Sequence, residues 1–213
     1  MTRFLRFLFF GVLARFVALI VLGLNVRHRE RLPLRGPAII VANHNSHLDT
    51  IVLMTLFPMR TLPMLRPVAA MDYFLRNKIL AWFSTKIIGI LPLPRRPTAS
   101  HGDPFAETSA FLARGGIVIL FPEGTRGGHE TMCEFKTGIA HLAKRHPEIP
   151  VIPVFLHGLA KAMPKGEALL VPFFCDVFIG EAMNWNGDKQ TFMDDLAHRM
   201  KQLSDEGHFT PWE

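Results

Sequence analysis

Apolar residues run almost unbroken from residue 4 to 26, and beyond that block they fall into shorter, separated groups. The first block is about the length that a bilayer core requires of a helix. Arg15 in its middle opposes a simple span, because a central Arg costs about 2.5–3.5 kcal/mol on insertion scales. Arg6, near the end, can snorkel. Both flanks are basic, Met1-Thr-Arg3 before and Arg27-His-Arg-Glu-Arg31 after, so the positive-inside rule gives no orientation. No small-residue cleavage site follows. A retained helix lying in one leaflet is expected, with a spanning anchor as the second choice.

The later groups alternate in kind. Residues 38–42 (AIIVA), 67–70, 116–121, 151–156 and 171–179 are short apolar runs suited to buried strands, the fourth irregular at Pro153. Between them, residues 48–57, 73–88, 105–113, 135–145 and 191–203 read as helices. Phe74, Ile79, Trp82 and Phe83 are candidate core residues of the second, and Phe192, Leu196, Met200 and Leu203 form one side of the last. This alternation predicts an α/β fold: one domain over 32–213 with a mostly buried mixed sheet flanked by helices, preceded by a membrane anchor over 1–31.

The 213 residues suffice for one such core. A net charge of +6 suits anionic lipid, phosphorylated substrates or nucleic acid. No basic tract interleaved with aromatics and no zinc-finger spacing is present, so nucleic acid is not expected as a partner. Cys133 and Cys175 form no CxxC and read as reduced thiols.

Candidate chemistry begins where the 38–42 run ends. His44 and Asp49 are five residues apart, which on one helix would leave their side chains about 140° apart. Ser46 is a good N-cap, with Asp49 at the third helical position of a capping pattern. His44 then lies in the loop before the helix and Asp49 in its first turn, where the two can meet and the helix N-terminus favours an ionised Asp49. A carboxylate that fixes the imidazole tautomer and stabilises the imidazolium makes a general base. No Gly-x-Ser-x-Gly elbow supplies a protein nucleophile, so the group deprotonated can belong to the substrate. Taken alone, the pair also reads as a helix cap, or with His47 as metal ligands.

After the 116–121 run comes Phe121-Pro-Glu-Gly-Thr-Arg126, a turn at a strand end, where α/β proteins place sites. Arg126 suits a bidentate grip on phosphate, and Thr125 and the turn amides can add hydrogen bonds. With these two motifs intact and in order, the chain resembles the glycerophospholipid acyltransferases of the lysophosphatidic acid acyltransferase type, which pair HxxxxD with FPEGTR. Gly89-Ile-Leu-Pro-Leu-Pro-Arg95, Val151-Ile-Pro-Val154, Phe135-Lys-Thr-Gly138 and Pro164-Lys-Gly166 resemble further stretches of that family. The resemblance covers roughly residues 35–182.

The resemblance implies His44 as base and Asp49 as its partner, with Arg95, Glu123, Gly124, Thr125 and Arg126 holding the acceptor phosphate. It implies acyl-CoA or acyl-carrier protein as co-substrate donor, a lysophospholipid acceptor, no cofactor and no metal. The setting it implies is the cytoplasmic face of the cell (inner) membrane, in phospholipid biosynthesis. One departure stands out: many relatives carry a Lys in a pattern like Ala-Lys-x-Glu-Leu after the second strand, where this chain has Ala69-Ala-Met-Asp-Tyr-Phe74. That bears on the acceptor, leaving lysophosphatidate, other lysophospholipids and lyso-aminolipids open. The apolar, Met-rich stretch 51–65 reads as core, or in part as an acyl-chain tunnel. A metal-dependent hydrolase and a non-catalytic lipid binder are the competing classes.

Overall fold

The five residues Ala38–Ala42 have nothing to offer solvent, and strand β2, which they form, is buried along its whole length at the centre of a seven-stranded sheet. The computed structural model describes residues 2–71, 77–94, 102–124, 133–162, 171 and 173–209. The strands are β1 (Asn25–Arg27), β2, β3 (Leu65–Ala70), β4 (Leu91–Leu93), β5 (Ile117–Leu120), β6 (Val151–His157) and β7 (Asp176–Ile179). Their order is β1-β7-β6-β2-β5-β3-β4. From β6 to β4 the pairing is parallel, with Ile40 opposite both Ile119 and Ile152. β7 runs antiparallel to β6, and β1 pairs with β7, so the sheet is mixed as expected.

Alternation along the strands divides the core in two. Ala38, Ile40 and Ala42 join Ile117, Ile119, Ile152 and Val154 on one face, while Ile39 and Val41 join Val118, Leu120 and Val151 on the other. Both faces are covered, which is why the strands read as continuous apolar runs. Helix α1 (residues 2–21) and α2 (Leu48–Thr55) cover the first face. On the second lie α4 (Ala106–Ala113), α5 (Gly138–Arg145) and α7 (Lys189–Glu206). α3 (Lys78–Trp82, continued by π-helical turns over Phe83–Ile88) packs beside α1, Phe9 edge-on to Phe83 at 5.1 Å, and α6 (Leu159–Ala162) follows β6. The expected face of α7, with Phe192, Leu196, Met200 and Leu203, is buried. Pro153 sits in an unbroken β6 opposite Val41 rather than at an irregularity.

Residues expected as a separate anchor are continuous with this fold. β1 is an edge strand of the sheet, and Phe10, Ala14 and Leu22 of the N-terminal segment belong to the main core. Together with Arg6 and Ala18 they form a stripe at four-residue spacing. On a pure α-helix such a stripe winds by about 40° per step. α1 instead includes π-helical turns at Phe9–Leu13 and Val17–Val21, which underwind it and hold the stripe against the domain. Arg6 donates to the carbonyls of Leu62 (2.8 Å) and Ile88 (3.3 Å), and Arg15 to that of Phe57 (3.1 Å). Both arginines therefore turn to backbone carbonyls of the α/β core.

The opposite side of α1 is apolar and exposed, including Phe4, Phe7, Phe16 and Ile20. Phe83 is half-buried against the core, but Ile79 and Trp82, expected in it, are 78% and 44% exposed beside α1, while Phe74 lies outside the described residues. The 51–65 stretch is mostly core: Val52, Leu53, Met54, Phe57 and Leu65 are buried.

Candidate active site

At the C-terminal end of β2 the chain must leave the sheet without exposing it, and Asn43 governs that exit. Its buried side chain donates to the Leu156 carbonyl (2.8 Å) and accepts from the Leu156 amide (2.7 Å), imitating a further strand residue against β6. The next residue, His44, is thereby set at the edge of the sheet. Asn43→Ala leaves both Leu156 groups without these partners in a buried place. The expected loss is about 1–3 kcal/mol, seen as a lower melting temperature accompanied by reduced turnover; unchanged melting would show that the pin is dispensable.

His44 Nδ1 lies 2.9 Å from Asp49 Oδ2, and the imidazole stacks on Phe121 with centroids 4.3 Å apart. The ring is 20% exposed, so Nε2 remains as the nitrogen able to take a proton. Asp49 is fully buried in the first turn of α2, as the spacing argument required. The same Oδ2 accepts from the amides of Asn45 (2.7 Å) and Ser46 (2.8 Å). Oδ1 is buried with no hydrogen-bond partner among the described residues. Burial raises the Asp49 carboxyl above the ordinary range, outweighing the hydrogen bond and charge of His44 and the two amides.

The capping differs in detail from expectation. The helix begins at Leu48 with His47 in the cap position. Ser46 Oγ accepts from the Leu48 amide (3.3 Å), while Asp49 reaches back to the Ser46 amide. The carboxylate half of a capping box is thus formed and shared with His44.

Glu123 faces the His44 loop. It stands after β5, the parallel neighbour of β2, and is buried. Its Oε1 accepts from the His44 amide (2.9 Å) and its Oε2 from the Cys133 amide (3.4 Å). Burial raises its carboxyl above the usual range against these bonds. With one oxygen on each of two backbone amides, Glu123 braces the His44 loop. Gly124 follows at φ +69°, a left-handed turn that glycine adopts without strain, and a β-carbon there would lie 2.7 Å from Lys136 Nζ. Lys136 is tied to the same turn by its amide, which donates to the Pro122 carbonyl (2.9 Å). Thr125, Arg126 and Arg95 lie outside the described residues.

Asn43 stands just before His44, and Phe121 and Lys136 inside the quoted motifs, but the sequence assigns none of them a role. An Asn closing an otherwise apolar strand just before a candidate base is the one signal that could have found the first. Among the described residues no three His, Cys, Asp or Glu side chains converge as a metal site.

A histidine held by a buried carboxylate at the C-terminal edge of a largely parallel sheet, with a glycine turn beside it, defines a general-base centre able to deprotonate a bound hydroxyl. The chain belongs to the Acyltransferase family, whose sequence model matches residues 23–157. It is 26% identical over 198 residues to mouse (Mus musculus) 1-acyl-sn-glycerol-3-phosphate acyltransferase alpha, covering 86% of this chain and 65% of that one. It is 31% identical over 150 residues to a chloroplastic 1-acyl-sn-glycerol-3-phosphate acyltransferase of Arabidopsis thaliana, covering 68% and 38%. A lyso-ornithine lipid O-acyltransferase of Rhizobium meliloti is 29% identical, covering 71% and 51%. The chain thus spans between 38% and 65% of the length of these curated relatives. The fold matches that of a 1-acyl-sn-glycerophosphate acyltransferase from Thermotoga maritima with a TM-score of 0.74 at 20% identity, over 98% of this chain and 83% of that one.

Proposed function

We propose that this protein is an O-acyltransferase that moves a fatty acyl group from a thioester donor, acyl-CoA or acyl-carrier protein, to the free hydroxyl of a lysophospholipid. The observation that carries this reading is the His44 Nδ1 to Asp49 Oδ2 contact of 2.9 Å in a loop braced by Glu123. Nε2 of His44 takes the hydroxyl proton as the acceptor oxygen attacks the thioester carbonyl. The carbon–sulfur bond then breaks, and the proton passes from Nε2 to the departing thiolate, restoring the neutral ring. Asp49 keeps the tautomer and stabilises the transient imidazolium. Arg95, Thr125, Arg126 and the Gly124 turn would grip the acceptor phosphate, a dianion suited to arginine.

1-Acylglycerol-3-phosphate is the acceptor most consistent with the 1-acyl-sn-glycerol-3-phosphate acyltransferases among the relatives. A lyso-aminolipid is the second reading, supported by the lack of Lys over residues 69–74 and by the lyso-ornithine relative. The exposed apolar side of α1, with Ile79 and Trp82, would lie in the cytoplasmic leaflet of the inner membrane as a monotopic anchor. Both substrates then reach His44 from the same surface.

The test is a donor and acceptor panel with purified protein in detergent, products resolved by mass spectrometry. Lysophosphatidate and acyl thioester should give one diacylglycerol phosphate and one free thiol per turnover. Transfer to a lyso-aminolipid alone would select the second reading, and no transfer across the panel would refute the proposal.

A further inference from the structure

We infer that this protein carries a second lipid site, for the phosphate of an anionic phospholipid, between α1 and the C-terminal end of α2. A groove of about 480 Å³ is lined there by Arg15, Leu19, Leu24, Val26, Arg29 and Leu56. Two arginines converge on it. Arg15 donates to the Phe57 carbonyl (3.1 Å) and Arg29 to the adjacent Leu56 carbonyl (3.2 Å), so the end of α2 fixes both guanidinium groups. One donor of each is used in these bonds, and a guanidinium has five. Neither arginine forms an ion pair among the described residues; the carboxylate next in sequence to Arg29, Glu30, turns to His28 at 3.9 Å. Two guanidinium groups that line one groove, with no ion pair among the described residues, can grip a phosphate there.

The other walls identify the occupant. Leu19, Leu24 and Val26 are apolar, and Leu19, 63% exposed, also belongs to the outward side of α1. A phosphate at the arginines would therefore continue into acyl chains running along the surface assigned to the leaflet. A soluble phosphate would leave that apolar wall unused. Two arginines in the wall equally disfavour the groove as the terminus of an acyl tunnel. The site is distinct from the catalytic one. Asp49 stands at the start of α2 and Leu56 just past its end, about 10 Å along the axis at 1.5 Å per residue. The inference rests on the membrane-facing reading of α1 but not on acyl transfer.

Native mass spectrometry of the full chain in detergent, titrated with dioleoylphosphatidylglycerol, tests it. One saturable lipid per chain is expected in preference to dioleoylphosphatidylcholine. Arg29→Gln, an exposed position that leaves the fold intact, should weaken it about fivefold, and Arg15→Gln with Arg29→Gln by about the square of that. Lys86→Gln, on the exposed side of the neighbouring helix, should leave it unchanged and so exclude a general charge effect. Unaltered binding in both arginine variants, equal weakening by Lys86→Gln, or displacement by inorganic phosphate at the concentration of the lipid would each overturn the site. Acyl transfer in lipid-free micelles should persist in Arg29→Gln. Failure of transfer in the unaltered protein would leave the lipid stoichiometry standing, so the two readings fail separately.

Discussion

His44→Ala is expected to lower acyl-transfer turnover by about 1,000-fold or more while the protein remains folded. The size follows from the role: without Nε2 the acceptor hydroxyl has no base, and only positioning and electrostatics remain. Retention of the fold follows from how the loop is held. Asn43 bonds to Leu156, and Glu123 accepts from the His44 backbone amide, which alanine keeps. The side chain itself contributes the Asp49 bond and the stacking on Phe121. Losing these should cost about 1 kcal/mol, or a melting shift of about 2–4 °C for a chain of this size. The measurements are single-turnover transfer from a labelled thioester and a thermal melt. Full activity would remove His44 from the mechanism; a collapsed melt would move it into the fold.

Much of this loop and of the sheet that carries it is legible in the sequence. The runs at 38–42, 116–121 and 151–156 became β2, β5 and β6 because a strand buried on both faces has to be apolar throughout. The meeting of His44 with Asp49 followed from helix geometry and a cap, although the start moved one residue past Ser46. β1 and β4 were not legible: three residues at a sheet edge take their conformation from a partner, and Asn25-Val-Arg27 carries no pattern of its own. Ile79 and Trp82 were placed in the core because helical periodicity identifies an apolar side without saying what it faces. Residues 4–26 posed the same difficulty. Their composition reads as a bilayer helix, but the four-residue stripe of Arg6, Phe10, Ala14, Ala18 and Leu22 docks on the domain, visible only once the π-helical turns are known. Glu123 was grouped with the phosphate ligands by its neighbours in the motif. Its two backbone bonds, to residues 79 and 10 positions away, could not be read from that motif.

Asp49→Asn should separate activity from stability. All three donors around Asp49 converge on Oδ2, so an amide will place its oxygen there and its nitrogen at the position of Oδ1. His44 keeps its Nδ1 hydrogen bond and its tautomer. What is lost is the negative charge that stabilises the imidazolium. Turnover should fall about 100- to 1,000-fold, less than where an amide also forces the wrong tautomer. Stability should move the other way. The Asp49 carboxyl titrates above the 3.8 of an unperturbed aspartate because burial disfavours the charged form more than its hydrogen bonds favour it. Ionised Asp49 therefore destabilises the native state relative to the unfolded chain, fully so above the folded-state pKa. That penalty disappears as pH falls through the folded-state pKa to 3.8, below which the carboxyl is neutral in the unfolded chain too. Asp49→Asn should consequently melt higher than the unaltered protein at pH 8, with the difference shrinking on acidification. Melting curves over a pH series, taken with turnover at each pH, test both halves. A variant less stable at pH 8 would mean that the three hydrogen bonds to the carboxylate outweigh its burial.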